Sequence, residues 1–206
     1  QEGWRDELRR RFQEVGDGIL DFAKDMFGLS AIADAVLASK LEDLSRYYQE
    51  DAIRRELRGR LMSSLERHID NGDRIMVIAH SMGSIIAYDV LRELGRQRPS
   101  ARVDHFITIG SPLGLPHVMF HHMEEFDAVR TPTVVKRWTN FADRRDIVSL
   151  DTHLSDDYAP NVEGVRVVDD LVFNGYMSTR TEKDNPHKSY GYLRTPELSQ
   201  AVRQFI

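Results

Sequence analysis

A serine at position 81 lies between an apolar, strand-like stretch at residues 75–79 and a helix-like stretch that begins near Met82. Small residues, Ala79 and Gly83, stand two positions before and two after the serine, where a tight turn leaves little room for side chains. A serine on such a turn sits at a helix N-terminus, where free N–H groups favour the negative charge of acyl transfer. The pattern predicts a nucleophilic serine, and the alternative is a helix whose N-cap happens to be serine.

A nucleophilic serine needs a base, and the base needs a carboxylate that orients it. In α/β-hydrolases, whose nucleophile turn this one resembles, the chain order is serine, then Asp or Glu, then His. Asp143 and Asp146 both follow a predicted strand at residues 133–141, and the carboxyl end of a parallel strand is where ligand chemistry takes place. Asp146 is favoured because Ile147 and Val148 can anchor its loop in the core. Asp143 remains the alternative acid, and each could instead be an exposed aspartate paired with an arginine.

The predicted base is His187, which follows a predicted strand at residues 165–169 and precedes a helix that starts near Pro196. Its imidazole would take the serine proton and return it to the leaving group. His153 is the other histidine after the two aspartates, and it lies in a polar stretch that resembles a solvated loop. His80 is adjacent to the serine, so its side chain should leave the turn in another direction and support the site.

The region after residue 110 contains the predicted ligand-contacting residues. The loop at residues 112–118 and the positions around it could line an acyl pocket, through Leu113, Leu115, Met119 and Phe120. The same region is rich in possible metal ligands, namely His117, His121, His122, Glu124 and Glu125. His121 and Glu125 lie one helical turn apart, which suits a metal, but no second matched set exists. A polar cap over the active site is therefore favoured, and no metal or other cofactor is predicted.

The composition limits the class of protein. The chain has 206 residues, of which 41% are hydrophobic, enough for one domain with a core. A net charge of -5 does not favour a nucleic-acid partner. The absence of cysteine excludes disulfides and thiolate catalysis and fits a reducing compartment, so a cytoplasmic location is predicted. No apolar run of about 18 residues and no basic-then-apolar leader occurs, so neither a transmembrane segment nor a signal peptide is predicted.

From residue 72 onward, strand and helix patterns alternate. The predicted strands are at residues 74–79, 103–109, 133–141 and 165–169, and the predicted helices are at residues 82–97 and from Pro196 onward. Apolar strands separated by helices predict an α/β fold, with a mostly parallel sheet covered by helices on both faces. The chain is interpreted as a single domain, 1–206, in which residues 72–206 form the catalytic core and residues 1–71 form a helical segment.

The helical segment contains predicted helical stretches at residues 4–15, 19–41 and 51–70, and the second is broken at Gly28 and Ser30, where Ser30 caps the next helix. The apolar 19–41 stretch could be a lid over a lipid pocket, but packing on the core of the sheet is the favoured interpretation. Binding to a membrane surface is a weaker alternative, since this stretch carries several aspartates. In the 51–70 helix, apolar residues recur every four positions and predict one buried stripe: Ile53, Leu57, Leu61, Leu65 and Ile69.

Four pieces of the sequence, in this order, resemble the α/β-hydrolase superfamily and within it the lipase and serine-esterase branch. They are residues 78–83 (IAHSMG), 107–114 (ITIGSPLG), 138–148 (WTNFADRRDIV) and 187–190 (HKSY). The run Gly-Ser-Pro-Leu-Gly at 110–114 is similar to a segment of DDHD-domain phospholipases and related intracellular lipases. The resemblance covers residues 74–206 and implies hydrolysis of carboxylic esters through an acyl-enzyme on Ser81.

The sequence differs from that family at the oxyanion hole. An earlier strand in the family ends in a His-Gly-type loop that donates one N–H, and residues 1–70 contain no such pattern. The remaining donor is the backbone N–H of Met82, and loss of one of two donors costs about 100- to 1000-fold in rate. The favoured explanation is that the first strand or strands lie upstream of this chain. The alternatives are a partner chain that completes the sheet and the oxyanion hole, or loss of activity.

Three functions follow as expectations from these residues and this resemblance. The leading one is a serine hydrolase that cleaves carboxylic esters, including lipid esters. The same triad could cleave amides or thioesters. The alternative from a different class is a binding or regulatory module that keeps the fold without turnover, and the missing oxyanion loop is the feature that favours it.

Overall fold

Four parallel strands form a sheet in the part of the chain that the computed structural model describes, residues 43–149, 151–179 and 181–206. They are β1 (Met76–His80), β2 (His105–Ile109), β3 (Trp138–Ala142) and β4 (Val167–Leu171), and their order in the sheet is the order in the chain. All three pairings are parallel, so the carboxyl ends of the strands share one edge of the sheet. The predicted α/β class with a parallel sheet is confirmed.

Six named helices accompany the strands in the described residues, and residues 43–49 are also helical. They are α1 (Asp51–Asp70), α2 (Met82–Gln97), α3 (Pro116–Phe126), α4 (Leu154–Asp157), α5 (Ser189–Tyr192) and α6 (Pro196–Phe205). The bounds of α1 and α2 are those that the sequence predicts. The segment expected to be a loop at residues 112–118 instead enters α3 at Pro116. Proline at the first position was the available sequence signal for this helix, which ends at Asp127 in a left-handed conformation.

The sheet separates two apolar cores, because successive side chains of a strand point to opposite faces. Phe106 of β2 packs in one core, which contains buried residues of α1, α2 and α3. Its neighbour Ile107 packs in the other, together with Leu198 and Ala201 of α6. Helices therefore cover both faces, as the run of buried strand residues predicts. Leu65 of α1 is buried, and Leu57, Leu61 and Ile69 pack partly buried against the first core.

The strand predicted at residues 133–141 is shorter in the structure, where β3 begins at Trp138. Val134 and Val135 are fully buried, but they enter the core from a turn, and Val135 makes only an isolated bridge to Val103. The amide of Asn161 donates hydrogen bonds to the carbonyl oxygens of Pro132 and Val135 at 3.2 and 3.1 Å. An apolar pattern indicates that residues are buried, but it does not show that they belong to a strand. These two valines are buried although they precede the first residue of β3.

The predicted helices at residues 4–15 and 19–41, with the lid interpretation, lie outside the described residues. Leu44–Ile206 form one compact unit. In the part of the chain that the structure describes, no helix combines the length and the apolar character needed to cross a membrane. Within the same part, β1 and β4 are the two edge strands of the sheet, and Ile78 of β1 is 39% exposed.

Candidate active site

Ser81 occupies the turn between β1 and α2, at the edge where the strands end. Its φ of 54° and ψ of -133° are rare for a residue with a side chain and store strain of about 1–3 kcal/mol. The backbone N–H of Ser81 donates to the carbonyl of Ile109 at 3.2 Å, which ties the turn to β2. The sequence expectation that Gly83 must lack a side chain is not supported, since an added Cβ would meet nothing within 4 Å beyond its own helix backbone and chain neighbours.

Three side chains that are distant in the chain form one hydrogen-bonded line. The Oγ of Ser81 lies 3.0 Å from Nε2 of His187, and Nδ1 of His187 lies 2.9 and 3.0 Å from the two oxygens of Asp146. A carboxylate only accepts hydrogen bonds, so Nδ1 carries the proton and Nε2 presents its lone pair to the serine hydroxyl. All three residues are buried, at 5%, 9% and 2% exposure respectively. The line has the geometry of a nucleophile, a base and an orienting acid.

Asp146 is held by further hydrogen bonds. Its Oδ1 accepts the backbone N–H of Val148 at 3.0 Å, and its Oδ2 accepts the hydroxyl of Tyr192 at 2.7 Å. The Tyr192 hydroxyl also accepts the backbone N–H of Asp143 at 3.1 Å, which leaves its single proton for Asp146. Burial, and then the nearby Asp146 carboxylate, raise the pKa of Tyr192, so the phenol stays protonated and donates. The carboxylate therefore has one fixed orientation toward His187.

Asp143, the alternative acid, is buried but turned to other partners. Arg145 contacts both of its oxygens, at 3.1 and 2.8 Å, and the backbone N–H of Asn174 donates to it at 2.6 Å. Burial acts to raise the pKa of Asp143, but the hydrogen bonds from Arg145 and Asn174 outweigh it, and the pKa lies below its ordinary value. The structure therefore brings Asp146, and not Asp143, to His187.

The other two histidines considered as bases make different contacts. Nε2 of His80 lies 2.7 Å from the backbone carbonyl of His187, and the two imidazole rings are 4.7 Å apart. A carbonyl only accepts, so His80 donates, and it supports the loop that carries His187. His153 is exposed and contacts Thr152 at 3.0 Å. In the described residues, His187 is the histidine whose ring nitrogen contacts Ser81 Oγ.

The residues predicted to line the substrate pocket lie on the segment after β2. Leu113 is completely buried in the first core, whereas Leu115 and Met119 are partly buried against that core. Phe120 is half-buried on α3. Met82 is the first residue of α2, where a backbone N–H has no partner within the helix. Its N–H is therefore available at the end of the helix where the serine hydroxyl stands.

The histidines of α3 are engaged in packing and hydrogen bonds. His121 stacks on Tyr48 with ring centroids 3.8 Å apart, and its Nε2 is 3.2 Å from Nε2 of His117. Burial lowers the pKa of His121 to about 4. Glu125 pairs with Arg58. Among the described residues, no three acidic, histidine or cysteine side chains are grouped so that they could hold a metal ion.

Sequence reasoning missed three residues that surround the candidate triad. Tyr192 donates to Asp146, Asn174 contacts the loop of His187, and Gly110 lies so close that an added Cβ would be 2.7 Å from Asp146 Oδ2. A glycine directly after a strand was a visible signal for Gly110. Nothing local distinguishes Tyr192 or Asn174 from other polar residues, because their partners are remote in sequence.

One comparison with known proteins found a similarity. Residues 47–120 match the sequence model of the lecithin:cholesterol acyltransferase family, a little over a third of the chain. The matched stretch contains α1, β1, Ser81, α2 and β2, and it ends before Asp146 and His187. It supports the α/β-hydrolase superfamily and a lipid-acting acyltransferase or esterase as the class of activity, but not the DDHD type specifically. No curated protein and no solved structure shows significant similarity to the chain.

Proposed function

We propose that this chain is a serine hydrolase that cleaves carboxylic esters, including lipid esters, through an acyl-enzyme on Ser81. The observation that carries the proposal is the buried line of hydrogen bonds from Ser81 through His187 to Asp146 at the carboxyl edge of the sheet. The strained backbone of Ser81 supports it, because strain of this kind persists where a nucleophile must be presented.

In the proposed reaction, Ser81 Oγ attacks the carbonyl carbon of the ester while its proton passes to Nε2 of His187. The C–O bond to the leaving alcohol then breaks, and the same proton goes to that alcohol. A water molecule then attacks the acyl carbon while one of its protons passes to Nε2 of His187. The bond between the acyl carbon and Ser81 Oγ breaks, the same proton returns to Oγ, and the acid is released. Asp146 remains ionised throughout and stabilises the imidazolium.

The developing oxyanion requires donors, of which the backbone N–H of Met82 is one. The second donor would come from a segment beside β1, which is an edge strand among the described residues. The partly buried Leu115, Met119 and Phe120 suit an apolar acyl chain and are the proposed lining of the pocket. Leu113 is fully buried, so we expect it to support this wall from behind.

Acyl transfer to an alcohol is a second candidate function, because the matched family is described as an acyltransferase. The same acyl-enzyme would be discharged by an alcohol in place of water. An excess of a long-chain alcohol in the assay distinguishes the two outcomes, since transfer yields a new ester and hydrolysis yields the free acid. Cleavage of amides and thioesters is tested by measuring the hydrolysis of substrates that carry the same acyl chain as the ester.

The proposal is tested by labelling with a fluorophosphonate, followed by intact mass and peptide mapping. Wild type should gain one adduct on Ser81, and Ser81→Ala should gain none. Ser111→Ala is the matched control, because Ser111 is also buried and follows a neighbouring strand, but contacts the backbone N–H of Leu113. It should label normally. A folded wild-type chain that neither labels nor hydrolyses esters would overturn the proposal and favour the binding module.

Two isosteric variants test which aspartate orients His187. Asp146→Asn should lower kcat by about 10⁴-fold, the cost of holding the base in the wrong tautomer. Asp143→Asn should lower it far less, since Asp143 contacts Arg145 and Asn174 and not His187. The reverse ranking would assign the acid to Asp143.

A further inference from the structure

Three consecutive backbone carbonyls at the candidate base each accept a hydrogen bond from a buried or half-buried side chain. The amide nitrogen of Asn174 lies 2.6 Å from the carbonyl oxygen of Pro186 and 2.9 Å from that of Lys188. Nε2 of His80 lies 2.7 Å from the carbonyl oxygen of His187 itself. Both protons of the Asn174 amide are therefore used, one on each side of His187. The main chain that carries the imidazole is fixed at three adjacent positions.

Asn174 is itself held in one orientation. Its Oδ1 accepts the backbone N–H of Tyr176 at 3.2 Å, so its NH₂ group must face the carbonyls. Its backbone N–H donates to Asp143, and its side chain is almost completely buried. A Cβ built on Gly191 would lie 1.4 Å from Asn174 Oδ1, so the chain after His187 approaches this amide as only glycine allows.

The connection from β4 to α5 has little regular structure to position the base. Its described residues form no helix, and an isolated bridge between Met177 and Asp184 is the pairing they make. A base must stay within about 0.5 Å of its productive position, which loops do not ensure without support. Side-chain hydrogen bonds to the main chain supply that support here.

We propose that Asn174 is a positioning residue, which holds the chain on both sides of His187 so that the imidazole stays between Asp146 and Ser81. This inference rests on the proposed function. It also gives Asp143 a role: the carboxylate that is not the acid orients the residue that holds the base. His80 completes the support through the carbonyl of His187.

The test compares two buried asparagines with the same hydrogen-bonding pattern. Asn174→Asp keeps the size of the side chain and removes both N–H donors. Asn161→Asp is the matched control, because Asn161 also donates to two carbonyls, those of Pro132 and Val135, and also accepts backbone N–H groups through Oδ1. Both variants should lose thermal stability. Turnover of p-nitrophenyl butyrate by the full chain should separate them.

We expect Asn174→Asp to lower kcat by about 100-fold with KM within about twofold, and to slow fluorophosphonate labelling of Ser81 by a similar factor. Asn161→Asp should keep kcat within about twofold. If wild type is active and labels at Ser81 while Asn174→Asp keeps the wild-type kcat, the inference is overturned and the proposed function stands. Equal losses of kcat in the two variants would also overturn it, because the effect would then be one of general stability.

A second measurement does not depend on turnover. The proton on Nδ1 of His187, shared with Asp146, should give a resolved downfield NMR resonance, identified by its absence in His187→Gln. Asn174→Asp should broaden or remove it, and Asn161→Asp should retain it. Asn174→Ala removes the donors without adding a charge and serves if the aspartate variant does not fold. A resonance unchanged in a folded Asn174 variant would overturn the inference, even for a chain in which no activity is found.

Discussion

Replacing Gly110 by alanine tests how closely the candidate triad is packed. Gly110 directly follows β2 and has φ of 52°, in the left-handed region. A Cβ built on it would lie 2.7 Å from Oδ2 of Asp146, 3.0 Å from a ring carbon of Tyr192 and 3.4 Å from Nδ1 of His187. Alanine therefore adds backbone strain and also a steric contact with the acid.

The size of the effect follows from these two terms. Left-handed backbone costs a residue with a Cβ about 1–2 kcal/mol. The contact with Asp146 adds an overpacking cost of about 1–3 kcal/mol, so the free energy of unfolding should fall by about 2–5 kcal/mol. To restore ordinary van der Waals contact, which begins near 3.4 Å, the carboxylate must move by roughly 0.7 Å or more. Because a misplacement near 1 Å can cost about 100-fold in rate, we expect kcat to fall by up to that factor.

Gly164 provides the matched control. Its φ of 79° is also left-handed, but an added Cβ would meet nothing within 4 Å. Urea unfolding and kcat for p-nitrophenyl butyrate are measured on both alanine variants. Gly164→Ala should lose about 1–2 kcal/mol and keep kcat, since only strain applies. If Gly110→Ala loses no more stability than Gly164→Ala and also keeps kcat, the packing argument is refuted.

Three further predictions concern buried or partly buried polar groups. Arg58→Met should lower the free energy of unfolding by about 3–5 kcal/mol, because it leaves the buried Asp89 carboxylate without its cation; the exposed Arg60→Met should cost less than about 1 kcal/mol, and equal losses in urea unfolding would contradict this. Burial, and then neighbouring aspartates, raise the pKa of Asp157 to about 6, so its stabilising contribution is present below about pH 4 and lost as the pH rises through 6. Asp157→Asn should therefore raise Tm at pH 8 and leave it unchanged at pH 4, and the opposite pattern would show that the sign is wrong. Tyr192→Phe should cost about 1.5–3 kcal/mol and lower kcat more than it changes KM, whereas an unchanged kcat would exclude a role in orienting the acid.

Most of the fold could be predicted because its elements carry local signals. The bounds of α1 and α2 follow from apolar spacing, a turn at Asn71 and a proline after Gln97. Strand positions were less accurate, since a buried apolar run does not reveal where pairing starts. Val134 and Val135 satisfy the pattern of a strand, but they are buried through a turn.

The candidate site was predictable to the level of residue type and chain order. The chain order and the position after a strand narrowed the candidates for the acid to two aspartates. Val148 was one reason to favour Asp146, and in the structure its N–H donates to that carboxylate. The structure brings Asp146 to His187 and Asp143 to Arg145, whereas the catalytic role of each residue stays a prediction. The role of Asn174 could not be predicted from residue type and chain order. Its hydrogen-bond partners at residues 186 and 188 are remote in sequence, and only the folded loop brings them to its amide.

The sequence by itself determined the strand–turn–helix unit around Ser81, the alternation of strands and helices, and the residues from which a triad could be drawn. These features depend on neighbours within a few positions, where backbone sterics and apolar periodicity act. Tertiary structure alone decided which of the candidates meet. Ser81 and His187 are 106 positions apart, yet their side chains are 3.0 Å apart. The contact exists because the strands are parallel, so the segments that follow them leave from one edge of the sheet. There, buried hydrogen bonds to Asp146 and to the loop of His187 select one arrangement.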